Sequence, residues 1–100
     1  MPRDLCAEAR QICPNLRKGI PFVYILRLRS GLLYTGSSID FEIRFREHQS
    51  ATACHTTRLD PPVALLWIEI QPDVSAARKR EARNKRWSRA KKQAFISGDM

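Results

Sequence analysis

Residues Phe22 to Gly36 read Phe-Val-Tyr-Ile-Leu-Arg-Leu-Arg-Ser-Gly-Leu-Leu-Tyr-Thr-Gly, and their pattern decides the fold. Two short strands flank a Ser30-Gly31 turn, with glycine supplying the positive φ that tight hairpin turns need. Strand alternation puts Phe22, Tyr24, Leu26 and Leu28 on one face and Val23, Ile25, Arg27 and Arg29 on the other. Each strand carries one tyrosine, Tyr24 and Tyr34. Whether the two share a face depends on a hairpin register that the sequence leaves open. As cross-strand packing residues with wet hydroxyls they need no further role.

Downstream of the hairpin, Ser37 with Asp40 reads as a capping box opening a helix that runs to about Gln49. Phe41 and Phe45 form its buried stripe, with Ile43 at the edge. Asp40, Arg44 and His48 recur every four residues on a second stripe beside it. An Asp40–Arg44 surface ion pair accounts for two of these, and a solvated helix histidine for the third. Ser50 to Pro62 reads as a loop, long for a small domain and therefore a candidate for function. Val63-Ala-Leu-Leu-Trp-Ile-Glu-Ile70 is a nearly continuous apolar run, which predicts a strand buried on both faces.

Upstream, Leu5, Ala9, Ile12 and Leu16 fall at helical spacing with Asp4 as a cap, and Pro14 ends that helix near Ile12. From Val74 onward the spacing predicts two helices meeting near Trp87-Ser88, with Trp87, Ala90, Ala94, Phe95 and Ile96 packing the last one onto the sheet. Residues 1–20 read as an N-terminal extension and 21–97 as the domain.

The charge is uneven. Among 100 residues, 18 Lys and Arg face 10 Asp and Glu, a formal net charge of +8 and a pI near 10.1. Arg78, Lys79, Arg80, Arg83, Lys85, Arg86, Arg89, Lys91 and Lys92 surround a single acid, Glu81. Such a surface implies a polyanionic partner, nucleic acid before acidic membrane. Glu81 has two readings, an i,i+4 ion-pair acceptor for Lys85 or a carboxylate kept as a metal ligand beside phosphate. Cys6, Cys13 and Cys54 contain no Cys-x-x-Cys pair, which argues against a disulfide framework and a zinc site. With no signal-like apolar segment and no membrane-length apolar run, a reducing, cytoplasmic setting is expected.

Val23-Tyr24-Ile25, Leu33-Tyr34-Thr35-Gly36, then Asp40 with Arg44 and His48, then Glu81 with Lys85 and Ser88-Arg89 together resemble the GIY-YIG nuclease family, and its small stand-alone bacterial members most. The likeness spans about Pro21 to Ile96. It implies an α/β (α+β) fold, a three-stranded antiparallel sheet flanked by helices, which agrees with the element order read above. It also implies a metal-dependent DNA endonuclease, with DNA repair as a setting, using one divalent metal, Mg²⁺ or Mn²⁺. By position, Tyr24, Tyr34, Arg44, His48 and Glu81 take the catalytic roles, with Glu81 the metal ligand and Gly36 closing the second motif. In the family these side chains converge on one face of the sheet. Tyr24 is the first candidate to accept the proton of water, with Tyr34 and His48 the others. Arg27, Arg58, Lys85, Arg86 and Arg89 are the expected DNA contacts, on branched or double-stranded DNA with little sequence preference. Phe22 stands in place of the family's motif glycine, Val23 and Thr35 in place of isoleucines, and the last helix lacks the asparagine that some relatives carry. A module on the same fold that binds nucleic acid without turnover is the alternative.

Overall fold

The computed structural model describes residues 4–50 and 55–97. The elements run α1 (Leu5–Ile12), β1 (Phe22–Leu28), β2 (Leu33–Ser38), α2 (Phe41–Gln49), α3 (His55–Leu59), β3 (Pro62–Ile70), α4 (Val74–Lys85) and α5 (Arg89–Ser97). The three strands form one antiparallel sheet in the order β2-β1-β3. This is the expected sheet flanked by helices, and β1 is its centre.

The hairpin is the expected one. Arg29 to Leu32 connect the strands, and Gly31 takes φ +95°. The turn is tied down from outside: the Ser30 N–H donates to Asp60 Oδ1 at 2.9 Å, and the Arg29 N–H to the Pro61 carbonyl at 2.8 Å. The register settles the question of the tyrosines. Leu26 pairs with Tyr34 and Tyr24 with Gly36, so Tyr24, Tyr34 and Gly36 share one face.

That face carries the core. Phe22, Tyr24, Leu26 and Leu28 pack with Leu5, Ala9, Leu16, Phe41, Phe45, Leu65 and Ile68. Helix α1 therefore shares the core of the domain, and the 1–20 segment is more than an appendage. Asp4 caps it as expected, its Oδ1 accepting from the Ala7 N–H. Ile12, by contrast, is exposed and Leu16 fills the core from beyond the helix. The opposite face, Val23, Ile25 and Thr35, is covered by α4 through Ala77 and Asn84. Trp67 lies on that side too, with Phe95 edge-on to it at 5.1 Å between centroids.

Several expectations are corrected. Asp40 caps α2 alone, accepting from the Ile43 N–H at 3.1 Å, because Ser37 still belongs to β2 and points to Glu81. Asp40 has extended backbone, so it lies off the helical stripe and meets Lys18 rather than Arg44. His48 is fully buried, not solvated. The 50–62 segment contains a short helix, α3, and Pro62 already belongs to β3; Cys54 and the stretch 51–54 lie outside the described residues. Strand β3 is an edge strand, buried only at Ala64, Leu65 and Ile68, with register shifts opposite Ile25/Leu26 and Arg27/Leu28. The doubly covered strand is β1, where Val23 and Ile25 are as buried as the residues facing the other way. On α5 Ala90 is exposed, while Lys92 is buried. The α4–α5 break falls where expected.

Candidate active site

Tyr24 sits at the middle of the central strand and is completely buried. Its phenol lies over Gly36, the residue directly across on β2. A Cβ at Gly36 would stand 2.4 Å from the Tyr24 hydroxyl oxygen and 2.6 Å from Cζ. The absent side chain at 36 is thus the space that the phenol occupies.

Two side chains from α2 meet at that hydroxyl. The helix buries Phe41, Phe45 and His48 along one stripe, and Arg44 lies four residues before His48 on the adjoining edge. Arg44 Nε donates to the Tyr24 oxygen at 2.9 Å, and His48 Nε2 lies 2.7 Å from the same oxygen. His48 Nδ1 lies 3.1 Å from the Thr57 hydroxyl on α3. Tyr34 completes the group, its ring 6.5 Å from that of Tyr24 and 5.5 Å from that of His48. Unlike Tyr24 it is only half-buried.

The electrostatics follow from the burial. Desolvation pushes the Tyr24 pKa well above that of a free tyrosine, and the neighbouring Arg44 charge only partly offsets this. Desolvation, with the Arg44 cation beside it, pushes His48 down to about 4. At neutral pH Tyr24 is a protonated phenol and His48 an uncharged imidazole. Arg44, 24% exposed, is the one charged group that reaches from this cluster toward solvent, with Glu47 at 4.0 Å.

Glu81 stands apart from the cluster. It projects from α4, accepts a short hydrogen bond from the Ser37 hydroxyl, and pairs with Lys85 Nζ at 2.8 Å. Ser37 pairs with Val23, so its side chain alternates to the α4 side of the sheet, away from Tyr24 and Gly36. Glu81 therefore reaches the outer edge of β2 from the opposite face, and its charge acts on Tyr24 as the weakest of several influences. Tyr24, Tyr34, Gly36, Arg44 and His48 are brought together; Glu81 is held beside them across the edge strand.

The expected DNA contacts divide similarly. Arg27 is exposed but alternates to the side away from Tyr24. Arg58 is exposed on α3, next to Thr57. Lys85 is committed to Glu81, and Arg89 donates to the Gly31 carbonyl at 2.8 Å, stitching α5 to the hairpin turn. Arg86 is exposed at the end of α4.

Three contributors were missed from the sequence. Thr57 looked like one more loop threonine. Ser37 reads as a cap yet bonds Glu81. Thr35 donates to Asn84 Oδ1 at 2.8 Å, a buried rung one residue from Gly36 that ties β2 to α4; the signal was a polar residue in place of a motif isoleucine, three residues of helix from Glu81 on the partner side.

Among the described residues no group of three or more His, Cys, Asp or Glu could hold a metal, and no helix is long and apolar enough to cross a membrane. A UPF0213 protein of Xanthomonas axonopodis pv. citri is 38% identical over 74 residues, covering 74% of this chain and 72% of the relative. One from Streptococcus sanguinis is 37% identical over 75 residues, covering 75% and 86%. The solution NMR structure of a UPF0213 protein from Bacillus halodurans superposes with a TM-score of 0.52 at 32% identity, covering 78% of this chain and 83% of that one. Residues 20–94 match the GIY-YIG catalytic domain, and the chain belongs to the GIY-YIG family.

Proposed function

We propose that this protein is a metal-dependent DNA endonuclease that hydrolyses phosphodiester bonds, with low sequence specificity or selection by DNA structure. The observation that carries this reading is the Arg44 guanidinium, fixed through Nε to a buried tyrosine while Nη1 lies 4.0 Å from the half-exposed Glu47 and the side chain stays 24% exposed. A planar, permanently charged donor held this way suits the oxygens of a phosphoryl group as charge develops on them.

Roles follow from exposure. Tyr24 is buried and protonated, so it acts as the post that aims Arg44. Tyr34, half-buried beside it, is the hydroxyl within reach of water, and we assign it the ordering of the attacking water and, as the phenolate, the acceptance of its proton as the new P–O bond forms and the bond to the leaving oxygen breaks. His48, neutral, braces Tyr24 from the other side.

Glu81 with the adjacent Ser37 hydroxyl is an all-oxygen donor pair at an open strand edge, which fits a hard cation such as Mg²⁺ or Mn²⁺ that keeps most of its waters. When bound, such an ion supplies Lewis-acid polarisation of the phosphate and stabilisation of the leaving oxygen. Lys85 holds the same carboxylate and is the side chain that gives way on loading. One site cuts one strand, so a double-strand break takes two sites or two events.

The test is nicking of supercoiled plasmid and of a branched duplex in Mg²⁺ or Mn²⁺, with Glu81→Gln beside the parent. Cleavage by the parent, lost in the variant while DNA binding persists, is the expected result. Equal cleavage by both overturns the assignment of Glu81. Tight, salt-sensitive binding with no cleavage by the parent under either metal makes the chain a binding module.

A further inference from the structure

The segment after α2, long for a small domain, delivers one side chain into the cluster. Thr57, on α3, is fully buried, and its hydroxyl lies 3.1 Å from His48 Nδ1. The hydrogen-bond inventory at Tyr24 gives this contact a meaning. The phenol has one proton to give and accepts Arg44 Nε–H at 2.9 Å. Its one other recorded polar neighbour is His48 Nε2 at 2.7 Å. If that nitrogen carried the proton, Tyr24 would receive two donors, and its own buried hydrogen would point at no acceptor recorded among the described residues. The consistent arrangement has Tyr24 donating to a bare Nε2, which puts the imidazole proton on Nδ1, where Thr57 accepts it.

We infer that Thr57 is a positioning residue for this site: its hydroxyl accepts the Nδ1 proton of the His48 tautomer that the Tyr24–Arg44 pair demands, so that the Tyr24 proton stays turned toward the imidazole and the phenol oxygen is left to accept Arg44. The chain Thr57–His48–Tyr24–Arg44 then runs from α3 through the core to the guanidinium, and no proton is transferred along it. Thr57 acts through the others and touches no substrate. The inference rests on the endonuclease reading only for its effect on rate; the tautomer itself is a property of the free protein.

The experiment has two arms. Long-range ¹H–¹⁵N correlation of the imidazoles at pH 7, with His55→Gln to separate the two histidines, reads the tautomer of His48 directly. A neutral ring protonated at Nδ1 is expected; protonation at Nε2 overturns the inference. The second arm compares Thr57→Val with Thr57→Ser. Valine keeps the shape and removes the acceptor, so His48 is expected to shift toward the Nε2–H form. The kcat for nicking is then expected to fall about 10–100-fold, the usual cost of losing a residue that orients a functional group, with KM for DNA little changed. Serine keeps both at the level of the parent. Thr57→Val with the tautomer of the parent overturns the inference. A parent that never nicks overturns the endonuclease reading instead, and the spectra of parent and variants still decide the role of Thr57.

Discussion

Replacing Gly36 with alanine adds one methyl at the most crowded point of the cluster. Its Cβ would stand 2.4 Å from the Tyr24 hydroxyl, 2.6 Å from Cζ and 3.1 Å from Cε1. Carbon–oxygen contacts relax at about 3.4 Å or more, so the phenol tip must move by about 1 Å. It has nowhere easy to go, because Arg44 and His48 grip the same oxygen and Phe45 stands edge-on to the ring at 5.1 Å between centroids. Gly36 is not at positive φ, so the cost is contact rather than backbone strain. Overpacking of this kind costs about 1–3 kcal/mol, and the loss of glycine freedom in the unfolded chain returns about 0.4–1 kcal/mol. A net destabilisation of about 1–2 kcal/mol lowers Tm by roughly 5–15 °C in a domain this size. Activity suffers more than stability, since a shift of about 1 Å in a group that aims the guanidinium can cost about 100-fold. Thermal denaturation and plasmid nicking, side by side, check both. A variant with the Tm and rate of the parent would refute the reasoning that position 36 is empty to seat Tyr24.

Two further outcomes follow from the same geometry. The folded pKa of His48, about 4, lies below its unfolded value of about 6.5, so between these pH values the unfolded chain binds a proton that the folded one refuses. Stability is therefore full above pH 6.5 and is lost as pH falls toward 4, by about 2 kcal/mol between pH 7 and pH 5. Urea midpoints at the two pH values measure it, and His48→Gln is expected to flatten the slope; equal slopes in parent and variant contradict the assignment. At the β2–α4 rung, Thr35→Val removes the bond to the Asn84 amide, whose Nδ2 has no partner among the described residues, and should cost about 1–3 kcal/mol. Thr35→Val with Asn84→Leu removes both polar partners and should recover most of that loss in the same denaturation assay; a double variant as unstable as the sum of the singles would count against the rung.

Much of this fold was legible because its signals are local. A glycine turn between two tyrosine-bearing strands, a Phe41/Phe45 stripe and the break before Ser88 each follow from periodicity within a few residues, and the hairpin, α1, α2, α4 and α5 match that periodicity while the short α3 does not announce itself. Errors arose where a residue answers to a distant partner. Ser37 reads as a cap beside Asp40, yet it extends β2 and meets Glu81, 44 residues away. His48 reads as a solvated helix position because the residues that enclose it, Thr57, Tyr24 and Tyr34, come from three other elements. The apolar run of β3 suggested a central strand, but the central place went to β1, and the surplus of β3 is absorbed by its bulges and by Trp67 packing under Phe95. Site residues Tyr24, Tyr34, Arg44 and Gly36 were picked out by motif spacing. That Tyr24 is sealed while Tyr34 on the same face is only half-buried depends on register and burial, which spacing alone does not carry.

The most direct test of the site is Tyr24→Phe, which removes one oxygen and keeps the buried ring. That oxygen is where Arg44 and His48 meet. With a single-turnover nicking assay on supercoiled plasmid in Mg²⁺ or Mn²⁺, the variant should cut at least about 100-fold more slowly than the parent, because the guanidinium loses its anchor, while binding DNA with undiminished affinity. A variant that cuts as fast as the parent would show that Arg44 works without Tyr24, and the arrangement proposed here for the active site would fall.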